Sequence, residues 1–246
     1  QAETKKPTLI IGRTVMGKGA VKADGECFEG QCSTHGQPLS KSGADYASTI
    51  SNLGGDPENP WKIFPEAEAL YSARREELRK IVAERREAFK QWAEANPALA
   101  IELKSYLEGV LPQIDYSEIA HKPGVATRQA SADVLSVLAE KVGNMIVSSA
   151  DLANSDKTDG FLKKTHAFTA DDFTGAFLQA GVAELTMASI MNGIALHGGV
   201  IGACGTFFVF SDYMKPAVRL AALMELPVKY IWTHDAFRVG EDGPTH

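Results

Sequence analysis

Residues 175–212, GAFLQAGVAELTMASIMNGIALHGGVIGACGTFFVFSD, decide the fold. The segment around Glu184 reads as a helix, HGG as a turn, and GVIGACGTFFVF as a strand. Between Asp172 and Asp212, Glu184 is the only Asp, Glu, Lys or Arg. A buried, unpaired carboxylate is costly and tends to take up a proton. Glu184 therefore needs either an outlet to the surface or a specific partner. The stretch is long enough for a membrane helix, but HGG, GACGT and several Ser, Thr and Asn residues interrupt it. Helix, turn and strand in a soluble core is the better reading.

The flanking sequence repeats the same rhythm. TRQASADVLSVLAEKV (127–142) reads as a helix, and NMIVSSADL (144–152) as a strand that ends in a polar loop. DYMKPAVRLAALMEL (212–226) is a helix, PVKYIWTHD (227–235) a strand, and AFRVGEDGPTH (236–246) a Gly-rich loop. This alternation predicts an α/β fold, a doubly wound parallel sheet with helices on both faces. Ligands gather at the C-terminal ends of the strands in such sheets.

Two further zones precede this one, so the chain divides into 1–55, 56–124 and 125–246. In residues 56–124, Leu78, Ile81, Val82, Phe89 and Trp92 recur near helical spacing among charges, which gives amphipathic helices and a helical connector. The charge run is a solvated face. In residues 1–55, PTLIIGRT (7–14) is a continuous apolar run that suits a buried parallel strand. A polar Gly-rich loop follows, then SGADYASTISNLGG (42–55) as a short helix.

Composition narrows the function. With 44% hydrophobic and 23% charged residues the 246-residue chain is an ordinary globular protein. Its net charge of −6, with cations interleaved among acids, argues against a nucleic-acid surface. Three cysteines without a CxxC pair support neither a disulfide framework nor a Zn site, and suit the reducing cytoplasm. The N-terminus has no apolar signal core.

Several motifs have an ordinary and a functional reading. GRTVMGKG (12–19) approaches a phosphate-binding loop, but Gly19 stands where the Mg²⁺-binding hydroxyl belongs, so a flexible turn fits better. His35 in STHGQPLS is a lone loop histidine, and Arg128 alone is an ordinary helix-start arginine. Ser149 reads as a strand-end hydroxyl, since no nucleophile elbow surrounds it. Phe207, Phe208, Phe210 and Tyr213 would ordinarily be core. Phe207 and Phe210 cannot share one face of a regular strand, so a bend between them would present both to a pocket. THDAFRVGEDGPTH (233–246) carries His234, Asp235, Glu241, Asp242 and His246. A metal site, catalysis and polyol binding are all open to it, and Gly240 and Gly243 permit sharp turns.

In order, PTLIIGRTVMGKG…STHGQPL, TRQAS…SSADL, GVAELTMASIMNG, CGTFFVFSDY and WTHDAFRVGEDGPTH resemble the transketolase family over essentially the whole chain. The resemblance implies a thiamin diphosphate-binding fold. Residues 1–55 would be the C-terminal part of a diphosphate-binding domain, and 125–246 the N-terminal part of a pyrimidine-binding domain. It implies transfer of a two-carbon ketol unit from a ketose phosphate to an aldose phosphate, in the pentose phosphate pathway. Glu184 would bond N1′ of the aminopyrimidine, with Phe207, Phe210 and Tyr213 around that ring. Arg128, Ser149 and His234 would grip the sugar phosphate. Asp242 would read the donor C2 hydroxyl, and His35 and His246 would move protons near the reacting carbons.

The sequence departs from the family pattern at Ser148, Cys204, Leu185 and Ala236, none of them a carried-over side chain. The family's Gly-Asp-Gly…Asn motif for Mg²⁺ and diphosphate is absent from residues 1–246, so the metal ligands are expected outside this sequence. An internal fragment, inactive alone and homodimeric only as part of a full-length protein, is the expectation. Rival readings are a deoxyxylulose-phosphate synthase, a dehydrogenase E1 β-subunit, or a non-catalytic dimerisation fragment.

Overall fold

A computed structural model describes residues 6–235, 243 and 246. The chain divides into two compact units, Gln1–Ala88 and Phe89–His246. The first contains α1 (Leu39–Ser42) and α2 (Tyr46–Asn52), and α3 (Pro65–Ala95) runs across the division. Its small core is Ala20, Phe28 and Ala44, with Leu39 packed against them. Asp45 caps α2 by accepting the Ser48 backbone N–H at 2.8 Å, which satisfies one of the donors a helix start leaves open. Asp45→Ala should cost about 1 kcal/mol. Amide hydrogen exchange across Tyr46–Asn52 measures it as faster local opening.

One expected element does not form. Leu9, Ile10 and Ile11 lie in irregular backbone and are 83%, 76% and 81% exposed. An apolar run becomes a parallel strand only when a neighbouring strand supplies its hydrogen bonds. Among the described residues of this unit the only β pairing is an isolated antiparallel bridge between Val21 and Cys27.

The second unit follows the expected alternation. In chain order it has α4 (Pro97–Leu107), α5 (Thr127–Lys141), β1 (Met145–Ser149), α6 (Ala153–Asp156), α7 (Asp159–Leu162) and β2 (Phe177–Gln179). Then come α8 (Glu184–His197), β3 (Ile201–Phe207), α9 (Ser211–Leu223) and β4 (Lys229–Thr233). The four strands form one parallel sheet, ordered β2-β1-β3-β4. Residues 177–179, within the run read as leading into a helix, are instead edge strand β2. Gly181, Val182 and Ala183 separate it from α8.

Side-chain alternation sorts the core into two layers. Val147 and Ala203 face Leu135 of α5 and Phe161 of α7, whereas Cys204 faces Met187 and Met191 of α8 and Met214 and Ala217 of α9. Helices therefore cover both faces. Asn192 ties the second layer together: its Nδ2 donates to the Ala217 carbonyl at 2.8 Å, and its Oδ1 accepts the Tyr230 hydroxyl. Burial pushes the Tyr230 and Cys204 pKa values up to about 12, so both stay neutral. At the end of α8, Gly198 and Gly199 take φ of 81° and 79°, the left-handed region that lets the chain reverse into β3. Among the described residues no helix is long and apolar enough to cross a membrane.

Candidate functional site at the C-terminal ends of the strands

β1, β3 and β4 end at Ser149, Phe207 and Thr233, and most of the predicted site residues cluster there. The strands deliver these side chains to one edge of the sheet, where no further ladder consumes the backbone. Two of the four described non-glycine residues with positive φ lie just beyond these ends, Asp151 at 66° two residues after Ser149 and His234 at 56° next to Thr233. Strained backbone of this kind concentrates at functional sites.

Glu184 is the first residue of α8 and only 8% exposed. Among the described residues no side chain hydrogen-bonds or ion-pairs with its carboxylate. The helix N-terminus contributes partial positive charge there, which eases the cost without supplying a partner. Glu184 lines a cleft of about 580 Å³ together with Leu152, Val182, Phe210, Tyr213 and His246. The lining is mostly apolar with few polar groups, as small-molecule sites are.

The aromatic run bends as its spacing requires. β3 stops at Phe207 and a single 3-10 turn, Phe208–Phe210, leads into α9. Phe207 and Phe210 consequently stack with centroids 5.8 Å apart, Phe210 stacks with Tyr213 at 6.1 Å, and His246 meets Phe210 edge-on at 5.3 Å. Glu184, Phe210, Tyr213 and His246 thus share one cleft, with Phe207 in contact behind them.

A second cleft, of about 330 Å³, holds Arg128, Ser131, Thr233, His234 and Asp235. Arg128 Nη1 donates to His234 Nε2 at 2.7 Å. Guanidinium has no acceptor, so His234 must present a lone pair at Nε2 and carry its proton on Nδ1, which lies 2.9 Å from Thr233 Oγ1. Phe207 stacks on the same imidazole with centroids 3.6 Å apart. The arrangement is a cation held by a neutral histidine, open to an anionic group.

Ser149 stands apart, in a third cleft of about 280 Å³ with Asp151, Asn154, Asp159 and Gln179. Its hydroxyl donates to Asp156 Oδ2 at 2.7 Å. Asp156 is 1% exposed, and burial raises its pKa above the ordinary 3.8 against the opposing hydrogen bonds from Ser149 and Thr158. Burial therefore weighs against the ionised form relative to the unfolded chain, so the stability this group contributes is complete below the ordinary value and is lost as pH rises through the higher folded one. Asp156→Asn should therefore raise the thermal midpoint more at pH 7–8 than at pH 4, as melting curves across that range would register.

His35 belongs to the first unit, where it is exposed at the end of a 3-10 turn, Cys32–Thr34. Asp242 lies outside the described residues. GRTVMGKG continues into turns rather than a helix. The buried Asp156–Thr158 pair was not foreseen from the sequence. SSADLANSDKT (148–158), a run of hydroxyls and carboxylates directly after a strand, is the signal that points to it. Among the described residues no group of three or more His, Cys, Asp or Glu could hold a metal ion.

Family models of known proteins match both parts of the chain. Residues 1–112 match the model described as transketolase, thiamine diphosphate binding domain, and residues 123–246 the one described as transketolase, pyrimidine binding domain. The chain is 40% identical to a transketolase of Halalkalibacterium halodurans over 98% of its own length and 35% of that protein's. It is also 40% identical to a Bacillus subtilis transketolase, over 98% and 36% respectively. A Leishmania mexicana transketolase structure superposes with a TM-score of 0.76 at 30% identity, covering 94% of this chain and 34% of that one. A Pichia stipitis transketolase complexed with sedoheptulose-7-phosphate gives 0.73 at 34% identity, covering 94% and 34%. The chain thus spans about a third of the length of the relatives it matches.

Proposed function

Because the chain belongs to the transketolase family, we propose that it supplies part of the catalytic site of a transketolase. The protein would move a two-carbon ketol unit from a ketose phosphate to an aldose phosphate, in the pentose phosphate pathway. We assign residues 1–55 to a diphosphate-binding domain, 56–124 to a helical connector, and 125–246 to a pyrimidine-binding domain. One observation carries the reading. A buried carboxylate with no protein partner among the described residues faces a mostly apolar cleft walled by aromatic rings. Those residues fit the aminopyrimidine of thiamin diphosphate: a flat ring to stack on Phe210 and Tyr213, and a ring nitrogen to meet Glu184.

When bound, thiamin diphosphate supplies a nucleophilic carbon that takes up the ketol unit. The chain's own residues bind, orient and move protons. Glu184 holds or shares a proton with ring nitrogen N1′, in a site dry enough to make that bond strong. Phe207, Phe210 and Tyr213 fix the ring's plane and exclude water. Arg128 presents a planar fork to the sugar phosphate, with His234 holding it in place and within reach of the same anion. Ser149 contacts the substrate from the end of β1, and Asp242 reads the donor C2 hydroxyl. His35 and His246 move protons near the reacting carbons. Mg²⁺ accompanies the diphosphate, on ligands outside residues 1–246. The protein acts as a homodimer in the cytoplasm, without nucleic-acid or membrane partners; its unpaired cysteines suit a reducing compartment.

Assay of a full-length protein carrying residues 1–246, with thiamin diphosphate and Mg²⁺ and with pentose phosphates offered against pyruvate as donors, tests this. Ketol transfer from the pentose phosphate supports the proposal. Turnover of pyruvate alone would favour a synthase or a dehydrogenase subunit instead.

A further inference from the structure

The turn after β1 contains a buried carboxylate that the transfer reaction described above does not use. Asp156 Oδ1 accepts both the backbone N–H of Thr158 at 2.9 Å and its hydroxyl at 2.8 Å, while Oδ2 accepts the Ser149 hydroxyl at 2.7 Å. Three donors converge on two oxygens, the pattern an ionised carboxylate satisfies. Ser149 Oγ in turn accepts the Leu152 N–H at 3.2 Å. A hydroxyl has one proton and two lone pairs. The Ser149 proton is committed to Asp156 and one lone pair to Leu152. A single lone pair remains for the cleft that Ser149 lines with Asp151, Asn154 and Gln179.

We propose that Asp156 is a specificity-determining residue that fixes the polarity of Ser149. With Asp156 in place, Ser149 offers its cleft an acceptor, suited to a sugar hydroxyl, rather than a donor for a phosphate oxygen. Assigning the ligand as a sugar phosphate rests on the transketolase reading; the polarity of the hydroxyl does not. Asp156 touches no substrate itself and acts through Ser149.

Asp156→Asn inverts this arrangement. The amide oxygen keeps the Thr158 pair, and the amide N–H₂ replaces Oδ2 opposite Ser149. The amide then donates to Ser149 Oγ, and the Ser149 proton is released toward the cleft. Asparagine matches the aspartate in shape, which matters where Gly205 leaves so little room that a Cβ there would lie 3.0 Å from Asp156 Oδ2.

The test is a double-mutant cycle on the full chain, with inorganic phosphate as the probe and binding followed by the amide resonances of Leu152 and Gln179. Melting curves verify that each variant is folded. Ser149→Ala on the native background is expected to change phosphate affinity by less than twofold. On the Asp156→Asn background it should cost about tenfold, the size of one hydrogen bond to a charged group. Loss of the negative charge alone would tighten phosphate equally with or without Ser149, so the cycle separates the two effects. Additive behaviour would overturn the proposal. So would a loss of several-fold from Ser149→Ala on the native background, a comparison that decides even if Asp156→Asn fails to fold. Absence of ketol transfer by a full-length protein carrying these residues would count against the transketolase reading alone, because the phosphate cycle requires no turnover.

Discussion

Placed in a full-length protein that carries residues 1–246, Glu184→Ala is expected to lower ketol transfer by about 10²–10⁴-fold, the range typical of a lost proton-transfer partner, while leaving the thermal midpoint unchanged or slightly raised. The two halves of the expectation come from the same geometry. Glu184 is 8% exposed and its carboxylate has no hydrogen-bond or ion-pair partner among the described residues, so its removal deletes no such bond there and relieves a desolvation cost. A residue kept for the fold would show the opposite pattern, with lost stability and retained turnover. Steady-state rates and melting curves on the same preparations distinguish them. Glu184→Gln refines the test: the amide keeps the shape and can still donate to N1′, but it cannot exchange a proton there. Its turnover should fall nearly as far as that of the alanine variant.

The largest expected effect on stability lies at Gly160. A Cβ built there would sit 2.4 Å from the Ala132 carbonyl oxygen and 2.8 Å from its Cα, so the contact is backbone against backbone. Ser136 braces the same junction, its one hydroxyl proton shared between the Ala132 carbonyl 2.9 Å away and the Gly160 carbonyl 2.8 Å away. No side chain can swing aside, so α5 and α7 must separate. That opens the layer containing Leu135 and Phe161. Overpacking of this kind costs about 3 kcal/mol, or roughly 6–12 °C in thermal midpoint for a chain of this size. Calorimetry on Gly160→Ala tests it. A drop under 2 °C would mean that α7 is free to shift.

Much of the second unit was legible from the sequence because its signals are local. The runs around Val147, Ala203 and Ile231 are continuous strand segments, and Met214, Ala217 and Ala221 recur at helical spacing. Phe207 and Phe210 announced a bend because period-two alternation cannot place both on one face. The failures arise where structure depends on partners distant in sequence. Leu9–Ile11 carries the composition of a buried strand, but composition provides no neighbour to pair with. Phe177–Gln179 is too short to show a period and becomes a strand only through pairing with Val147–Ser149. Asp156 is not singled out by its sequence, because carboxylates in a polar run after a strand are ordinarily solvated, and only the fold buries this one beside Gly205 of β3.

The lone carboxylate was the plainest chemical signal in the sequence, and the fold sharpens what it means. Placing Glu184 at a helix start eases its charge, yet the residue lines a cleft together with Phe210, Tyr213 and His246. The central claim is that the missing partner is a cofactor ring nitrogen. Comparing thiamin diphosphate with an analogue in which a C–H replaces N1′, each with Mg²⁺, tests it most directly through holoenzyme dissociation constants. The account predicts that the native protein prefers the nitrogen-containing ring by about tenfold, the size of a charge-assisted hydrogen bond, and that Glu184→Ala reduces the preference to under twofold. An equal preference in both proteins would contradict it.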